Sequence, residues 1–314
     1  MRNLFCSQTG VFMNRTLIYK IEEKDSPCTV ESFLKARGYS RQIIIQLKKN
    51  DDGITVNGRW AYVKTMLRTG DELKIFLEET QSSEHIRPVL LPLTIVWEDE
   101  DILVLNKPAD MPVHPSVNNY DNTLANAVAH YYRSAGEEFI FRCINRLDRD
   151  TTGLLIVAKN ALSASVLSSQ MKKRQIHRTY LALCDGILPS SQGTIDAPIA
   201  RKEGSAIERC VDLERGERAV THYKVLETRR HVTLAELHLE TGRTHQIRVH
   251  MQYLGAPLLG DYLYHPDFTC ISRVALHSSA LAFTHPITRE PMQFRVPLPK
   301  DMAEAFYQAG YSSI

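Results

Sequence analysis

The chain reads as an α+β protein in two parts, and three observations predict it. Residues 17–78 hold two short amphipathic helices with recognisable caps, then a hairpin and an alternating strand. From residue 93 to 314, strand-length apolar runs recur with helical stretches between them. Residues 79–92 separate the two with polar residues and prolines and no periodicity, the composition of a linker. At 314 residues the chain is long enough for both parts.

Hydrophobic residues at 43% and charged residues at 24% are the balance of a soluble globular protein. A formal net charge of +2 is too small to announce a polyanionic partner, so that reading has to rest on local charge. The six cysteines (Cys6, Cys28, Cys143, Cys184, Cys210, Cys270) include no close pair, which argues against a zinc knuckle, a dithiol motif or a small disulfide scaffold. His245 and His250 lie five residues apart, off the i, i+4 spacing that puts two ligands on one helix face, so no metal site is expected. No phosphate-cradling glycine loop is present, and no nucleotide cofactor is expected. No apolar run approaches the roughly 18 residues of a membrane span, and Met1 to Arg15 lacks the apolar core and cleavage site of an export signal. The expected location is the cytoplasm.

Residues 1–16 carry no strong pattern and read as an extension. Thr29 is the candidate N-cap of a helix whose Val30, Phe33 and Leu34 share a face and which Gly38 ends. Ser40 caps a second helix carrying Ile43, Ile44 and Leu47. Lys35, Arg37, Arg41, Lys48 and Lys49 fall on the outer surfaces of this pair, a basic cluster that points to RNA rather than to solubility alone. Asp52-Gly53 turns the chain into Ile54-Thr55-Val56, and Asn57-Gly58 returns it as a hairpin through Arg59 to Val63. After Thr69-Gly70-Asp71, Leu73, Ile75 and Leu77 alternate along a strand.

Beyond the linker, Ile95 to Trp97 and Ile102 to Leu105 flank an acidic turn as a hairpin. Asn106-Lys107-Pro108 and Pro112-Val113-His114-Pro115 form a proline-rich corner that fixes where the chain turns. Asn122 or Thr123 opens a helix with Leu124, Val128 and Tyr131, closed by Gly136. Asn160 opens another with Leu162, Val166, Leu167 and Met171, ending in Lys172-Lys173-Arg174 where cations suit the C-terminus. Arg178 to Leu183 reads as a strand, and so does Val232 to Leu239, whose apolar residues in both phases predict cover on two faces. The charged span 204–219 predicts a long exposed hairpin or loop. Thr244 is the candidate cap of a helix with Ile247, Met251 and Leu254 on one face and Gly255 at its end.

Ile144 to Lys159 is the most informative stretch. Gly153 leads into Leu154 to Ala158, an apolar run of strand length, and just before it Asp148 stands among Arg146, Arg149 and Asp150. An arginine close to an aspartate favours the ionised carboxylate, which suits a nucleophile, a base or a charge stabiliser better than a general acid. A lone Arg-Leu-Asp-Arg would read as a solvated surface turn. The whole stretch from Asn145-Arg146-Leu147-Asp148 through Thr151-Thr152-Gly153 does not. It closely resembles the catalytic motif of the RluA-type pseudouridine synthases, His-Arg-Leu-Asp-x-x-Thr-Ser/Thr-Gly, with Asn145 where the family often has histidine. A second stretch, Thr241-Gly242-Arg243-Thr244-His245-Gln246-Ile247-Arg248-Val249-His250, resembles the same family, as do Leu259-Gly260-Asp261 and Arg273 to His277. The likeness runs from about residue 93 to 296. In front of it, the two basic helices, Val56-Asn57-Gly58 in the hairpin and Gly70-Asp71 before the last strand look like the S-four-type RNA-binding domain of ribosome-associated proteins.

For residues 93–314 the resemblance implies a mixed, mainly antiparallel β-sheet catalytic domain with flanking helices. The reaction it implies breaks the uracil–ribose bond of a uridine in RNA, turns the base and rejoins it through carbon 5, with neither cofactor nor metal. Asp148 is implied as the reacting carboxylate, adding as a nucleophile or removing a sugar proton as a base. Arg248 is implied as its charged partner, Tyr180 as the ring against the uracil, and Arg146 as the group that fills the place of the extruded uridine. Arg149 and the five basic residues of the helix pair are expected to contact RNA. Family members with this front module mostly resemble those acting on large-subunit ribosomal RNA, so that RNA is the expected partner of a monomeric chain with no membrane or protein partner. The rivals are a pseudouridine synthase for transfer RNA and a non-catalytic, ribosome-associated RNA-binding protein, the latter supported best by Asn145. A glycoside hydrolase needs a second, separated carboxylate, and Asp150 beside Asp148 does not supply one.

Overall fold

The computed structural model describes residues 11–79, 83 and 85–309. Residues 1–10 of the expected extension and 80–82 and 84 of the linker lie outside the described residues. The described chain opens with β1 (Val11–Phe12), which pairs with residues 137–138 of the larger unit. The front unit comprises β2 (Arg15–Lys20), β3 (Cys28–Thr29), α1 (Val30–Ala36), α2 (Arg41–Leu47), β4 (Ile54–Val56), β5 (Arg59–Trp60), β6 (Met66–Leu67) and β7 (Glu72–Leu77). Four of these strands form an antiparallel sheet in the order β2-β7-β4-β5, so the sheet begins at Arg15, inside the segment read as an extension. Thr29 and Ser40 cap their helices by accepting the N–H groups of Ser32 and Ile43 at 3.2 and 3.3 Å. Asn57 and Gly58 both take the positive φ that a tight hairpin demands. The return strand stops at Trp60 instead of Val63, because the Val63 and Thr65 carbonyls turn to the otherwise unpaired N–H groups of Glu31 and Val30 at the start of α1.

The larger unit continues with β8 (Ile95–Glu98), β9 (Ile102–Lys107), α3 (Leu124–Ser134), β10 (Glu137–Glu138), β11 (Arg142–Cys143), β12 (Thr152–Ala158) and α4 (Ala161–Lys172). β13 (His177–Asp185), β14 (Gln192–Asp196), β15 (Ile199–Arg201), β16 (Arg209–Val211), β17 (Val220–Arg229) and β18 (Val232–Leu239) follow. α5 (Gln246–Tyr253), β19 (Leu276–Thr284), β20 (Pro291–Arg295) and α6 (Lys300–Ala309) complete it. Ten strands make one sheet, ordered β14-β17-β18-β13-β19-β12-β9-β8, with β11 beside β12 and β20 beside β19. Within it only β12 and β19 run parallel, so the expected α+β, mainly antiparallel architecture holds. The exposed hairpin expected over 204–219 is β15–β16, which starts earlier, at Ile199.

β12 lies at the centre and is buried along its whole length. Leu155 and Val157 face a core shared with α3 and α5, and Leu154, Ile156 and Ala158 face another shared with α4. That two-sided cover is why the run from Leu154 to Ala158 is apolar without alternation. Gly153 begins it at φ 109°, where a Cβ would stand 2.2 Å from the Ser278 carbonyl oxygen; only glycine lets the parallel strands meet there. No helix among the described residues is long and apolar enough to cross a membrane.

Candidate active site

Three buried side chains hold the loop before β12 in place. Lys107, 1% exposed, donates from Nζ to the carbonyls of Pro108, Met111 and Arg149 at 2.7, 2.8 and 2.7 Å. It thereby pins the proline-rich corner to the Asp148 loop. Burial pushes this ammonium down to about 7 against the opposing charges of Asp150 and Asp148. Asn145 spans the loop ends, accepting from the Ile156 N–H at 2.9 Å and donating to the Leu154 carbonyl at 3.4 Å. Arg273 grips Asp301 of α6 with one edge, at 2.6 and 2.9 Å, and reaches the Asp150 carbonyl with the other at 3.3 Å.

Asp148 is carried at the loop's apex with its carboxylate one-third exposed. Its Oδ2 accepts from Arg248 Nη1 at 3.2 Å. Arg248 is almost wholly buried and gives Nε and Nη2 to Asp261 at 2.7 and 2.6 Å, a bidentate pair with a carboxylate of 0% exposure. Burial disfavours the guanidinium charge, but the bonds and charge of Asp261, with the charge of Asp148, hold its pKa above the ordinary arginine value. The rings of Tyr262 and Tyr264 lie 5.2 and 5.0 Å from its central carbon.

His245 stands beside this group, with Nε2 3.9 Å from Asp148 Oδ2 and Nδ1 2.9 Å from the Tyr264 hydroxyl. Burial keeps its pKa below the usual histidine value despite the Asp148 charge. The cap expected at Thr244 falls instead on His245, in left-handed backbone with φ 59° and ψ 18°. The side chain of Gln246 explains the shift: it accepts from the Arg243 N–H and the Thr241 hydroxyl and donates to Val220 and Thr221. α5 therefore starts against β17, and the left-handed residue turns its imidazole toward Asp148.

Asp148 and Arg248 line a small cleft of about 80 Å³. Tyr180, buried on β13, forms one wall; Leu239, Ile247 and Leu276 give apolar flanks; Arg146 lies exposed at the mouth. Apolar side chains thus flank a carboxylate that a buried guanidinium contacts from behind.

A family model described as RNA pseudouridylate synthase matches residues 101–253. The uncharacterized RNA pseudouridine synthase YjbO of Bacillus subtilis is 41% identical over 276 residues, covering 88% of this chain and 97% of that protein. The chain belongs to the RNA pseudouridine synthases. A ribosomal large subunit pseudouridine synthase D, from Haemophilus ducreyi, is 38% identical over 286 residues, 85% of each chain. Among solved structures, human RNA pseudouridylate synthase domain containing 1 superposes with a TM-score of 0.55 at 30% identity, covering 66% of this chain and 83% of that one.

In this synthase Asp148, Tyr180, Arg248 and Arg146 line one cleft. Arg149 points elsewhere, to Asp150 at 3.1 Å and Asp110 at 3.7 Å. Of the five basic residues on the helix pair, Lys35, Arg41 and Lys48 line one groove of the front unit. Arg37 instead lies 3.4 Å over the Phe33 ring and pairs with Asp25 at 3.1 Å, and Lys49 faces a different groove, between α2 and α4. Asp261, Lys107, His245 and Tyr264 are members of the site whose roles the sequence reading did not assign. Asp261 and Lys107 sit in the Leu-Gly-Asp and Asn-Lys-Pro triplets noted in the sequence.

Proposed function

We propose that this synthase isomerises uridines of large-subunit ribosomal RNA through Asp148. The reading is carried by the 3.2 Å contact between Asp148 and Arg248 in the apolar-walled cleft. A carboxylate held on one side by a buried guanidinium presents its other oxygen forward. It attacks the uridine as nucleophile or takes a sugar proton as base, and the uracil leaves, turns and rejoins through carbon 5. Tyr180 lies against the ring throughout, and its phenol helps move the carbon-5 proton. Arg146, exposed at the mouth, takes the place of the extruded nucleotide and offsets its unstacking.

Residues 17–78 act as an S-four-type RNA-binding unit that engages phosphates along the Lys35, Arg41 and Lys48 groove, and residues 93–314 as the catalytic domain. The ribosomal substrate is supported by relatives named for the large subunit. The chain is read as acting in the cytoplasm and as a monomer.

Pseudouridine mapping tests this on large-subunit ribosomal RNA, assembled subunits and bulk transfer RNA, with Asp148→Asn alongside the wild type. New pseudouridine at defined ribosomal sites, absent with a variant that still binds RNA, is the expected result. Modification of transfer RNA alone would overturn the substrate and keep the chemistry. Full activity in Asp148→Asn would remove Asp148 from the reaction.

A further inference from the structure

Four arginines reach the cleft: Arg146, Arg178, Arg243 and Arg248. Arg248 is committed to Asp148 and Asp261, and Arg243 to Glu217 and the Arg218 carbonyl. Arg178 has no such commitment. Its Nε is buried without a hydrogen-bond partner among the described residues, and Nη2 makes only a 3.5 Å contact with the Thr241 carbonyl. Glu240, just before Thr241, is occupied by Arg174, Arg218 and His222. Buried donors are normally satisfied, so a guanidinium left open in a cleft wall calls for an acceptor from outside the chain.

Gly242 adds an independent observation. Its backbone is not in the left-handed region, so the turn itself does not demand glycine. What a Cβ there would meet is Arg178: Nη1 at 3.4 Å, Nη2 at 3.6 Å and Cζ at 4.0 Å. The guanidinium lies across Gly242 at ordinary van der Waals distance from a Cβ, so alanine would fit and a branched side chain such as valine would crowd it. Arg178 is also two residues from Tyr180 on β13 and lines the same cleft, about 6.6 Å along the strand.

We infer that Arg178, seated on Gly242, is a phosphate-binding subsite for the RNA strand whose uridine lies against Tyr180. The inference rests on the proposed reading of the cleft as the uridine site. The ligand chemistry follows from the donor: a planar fork of N–H groups matches two oxygens of a phosphodiester, and no carboxylate among the described residues fills it. One nucleotide carries both groups, a flat base for Tyr180 and an anion for its neighbour on the strand.

The test uses the full chain and a fluorescein-labelled RNA stem-loop with uridines in its loop, titrated at several KCl concentrations in the Asp148→Asn background. Arg178→Ala should lower the slope of log K against log salt by about 1. In the active background it should raise KM by about tenfold or more with kcat changed far less. Arg178→Lys should recover part of the binding. Gly242→Val should mimic Arg178→Ala although every charge remains, and thermal melting checks that each variant is folded. Unchanged slope and KM in Arg178→Ala would overturn the subsite, as would a loss of kcat with RNA binding intact, which would make Arg178 a support for Tyr180. Wild-type binding without turnover would sink the catalytic reading of Asp148, and the slope comparison would still decide the subsite. A wild type that bound no RNA would overturn both.

Discussion

Arg248 is where burial and charge meet most sharply in this synthase. Its guanidinium has almost no contact with solvent, and it stays charged because Asp261, equally buried, answers it through two short bonds. Only Nη1 is left to face Asp148. Asp261 thus sets the direction in which Arg248 points, and through it the position of the Asp148 carboxylate. Asp261→Asn keeps the shape of the acceptor but removes half of the answering charge, so Arg248 should swing toward Asp148 and draw it back from the cleft. Turnover should fall by about tenfold to a hundredfold, the range seen when the partner orienting a functional group is lost, while RNA affinity stays within about twofold. Single-turnover rates and binding titrations check this, and wild-type turnover in Asp261→Asn would show that Asp148 needs no positioning from behind. Breaking the buried pair should also lower stability by about 3 kcal/mol, visible as an earlier urea midpoint.

Among the elements, β12 is the one on which others depend, because it joins the antiparallel pair β9–β12 to the parallel contact with β19. Gly153→Ala places a methyl group 2.2 Å from the Ser278 carbonyl oxygen in a backbone with φ 109°. The strands must separate to admit it, at a cost of about 3 kcal/mol or more. Soluble yield and urea midpoint should both drop; a wild-type midpoint would mean that the crossing has slack the structure does not contain. Much at this scale is legible in the sequence. Thr29, Ser40, Thr123 and Asn160 each accept the N–H three residues on, as their spacing before an apolar periodicity predicts. β19 carries no such signature: Ser278 and Ser279 interrupt its apolar residues, and their hydroxyls bond to the Leu154 and Thr179 carbonyls, acceptors that only the folded sheet brings near. Thr244 misleads for a related reason, since the Gln246 side chain takes its bonds from β17 and moves the helix start. Asp148 and Arg248 can be found because each lies inside a long motif. Lys107 cannot be assigned from spacing, since its role depends on the Arg149 carbonyl, 42 residues on, as well as on those of its own corner.

Over the whole molecule, the front unit is docked on the larger one rather than tethered to it. Leu162 and Val166 of α4 are buried in the front unit's own core, Ser165 donates to the Gly38 carbonyl at 2.8 Å, and Arg15 grips Asp101 at 3.0 and 3.1 Å. The intervening segment is held as well: Glu79 pairs with Arg142 at 2.7 Å, and Ile86 and Leu91 pack against the main core. α4 therefore has two cores to serve, which explains apolar residues around more of its circumference than one sheet requires. A docked unit fixes the groove lined by Lys35, Arg41 and Lys48 relative to the cleft. Under the proposed RNA-binding reading, a strand that spans both meets a set geometry instead of the broad distribution that a flexible linker would give. Val166 stands at this contact, buried in the front unit's core beside Gly38. Val166→Asp should bury an unpaired carboxylate in that contact and release the front unit without touching the Asp148 site. Wild-type chain should unfold in one cooperative transition and the variant in two. KM for RNA should rise by about tenfold, because two contacts then bind as separate events, while kcat on saturating RNA stays within about twofold. One transition and an unchanged KM in Val166→Asp would mean that the α4 contact does not hold the units together, and that the groove and the cleft work independently on the same RNA.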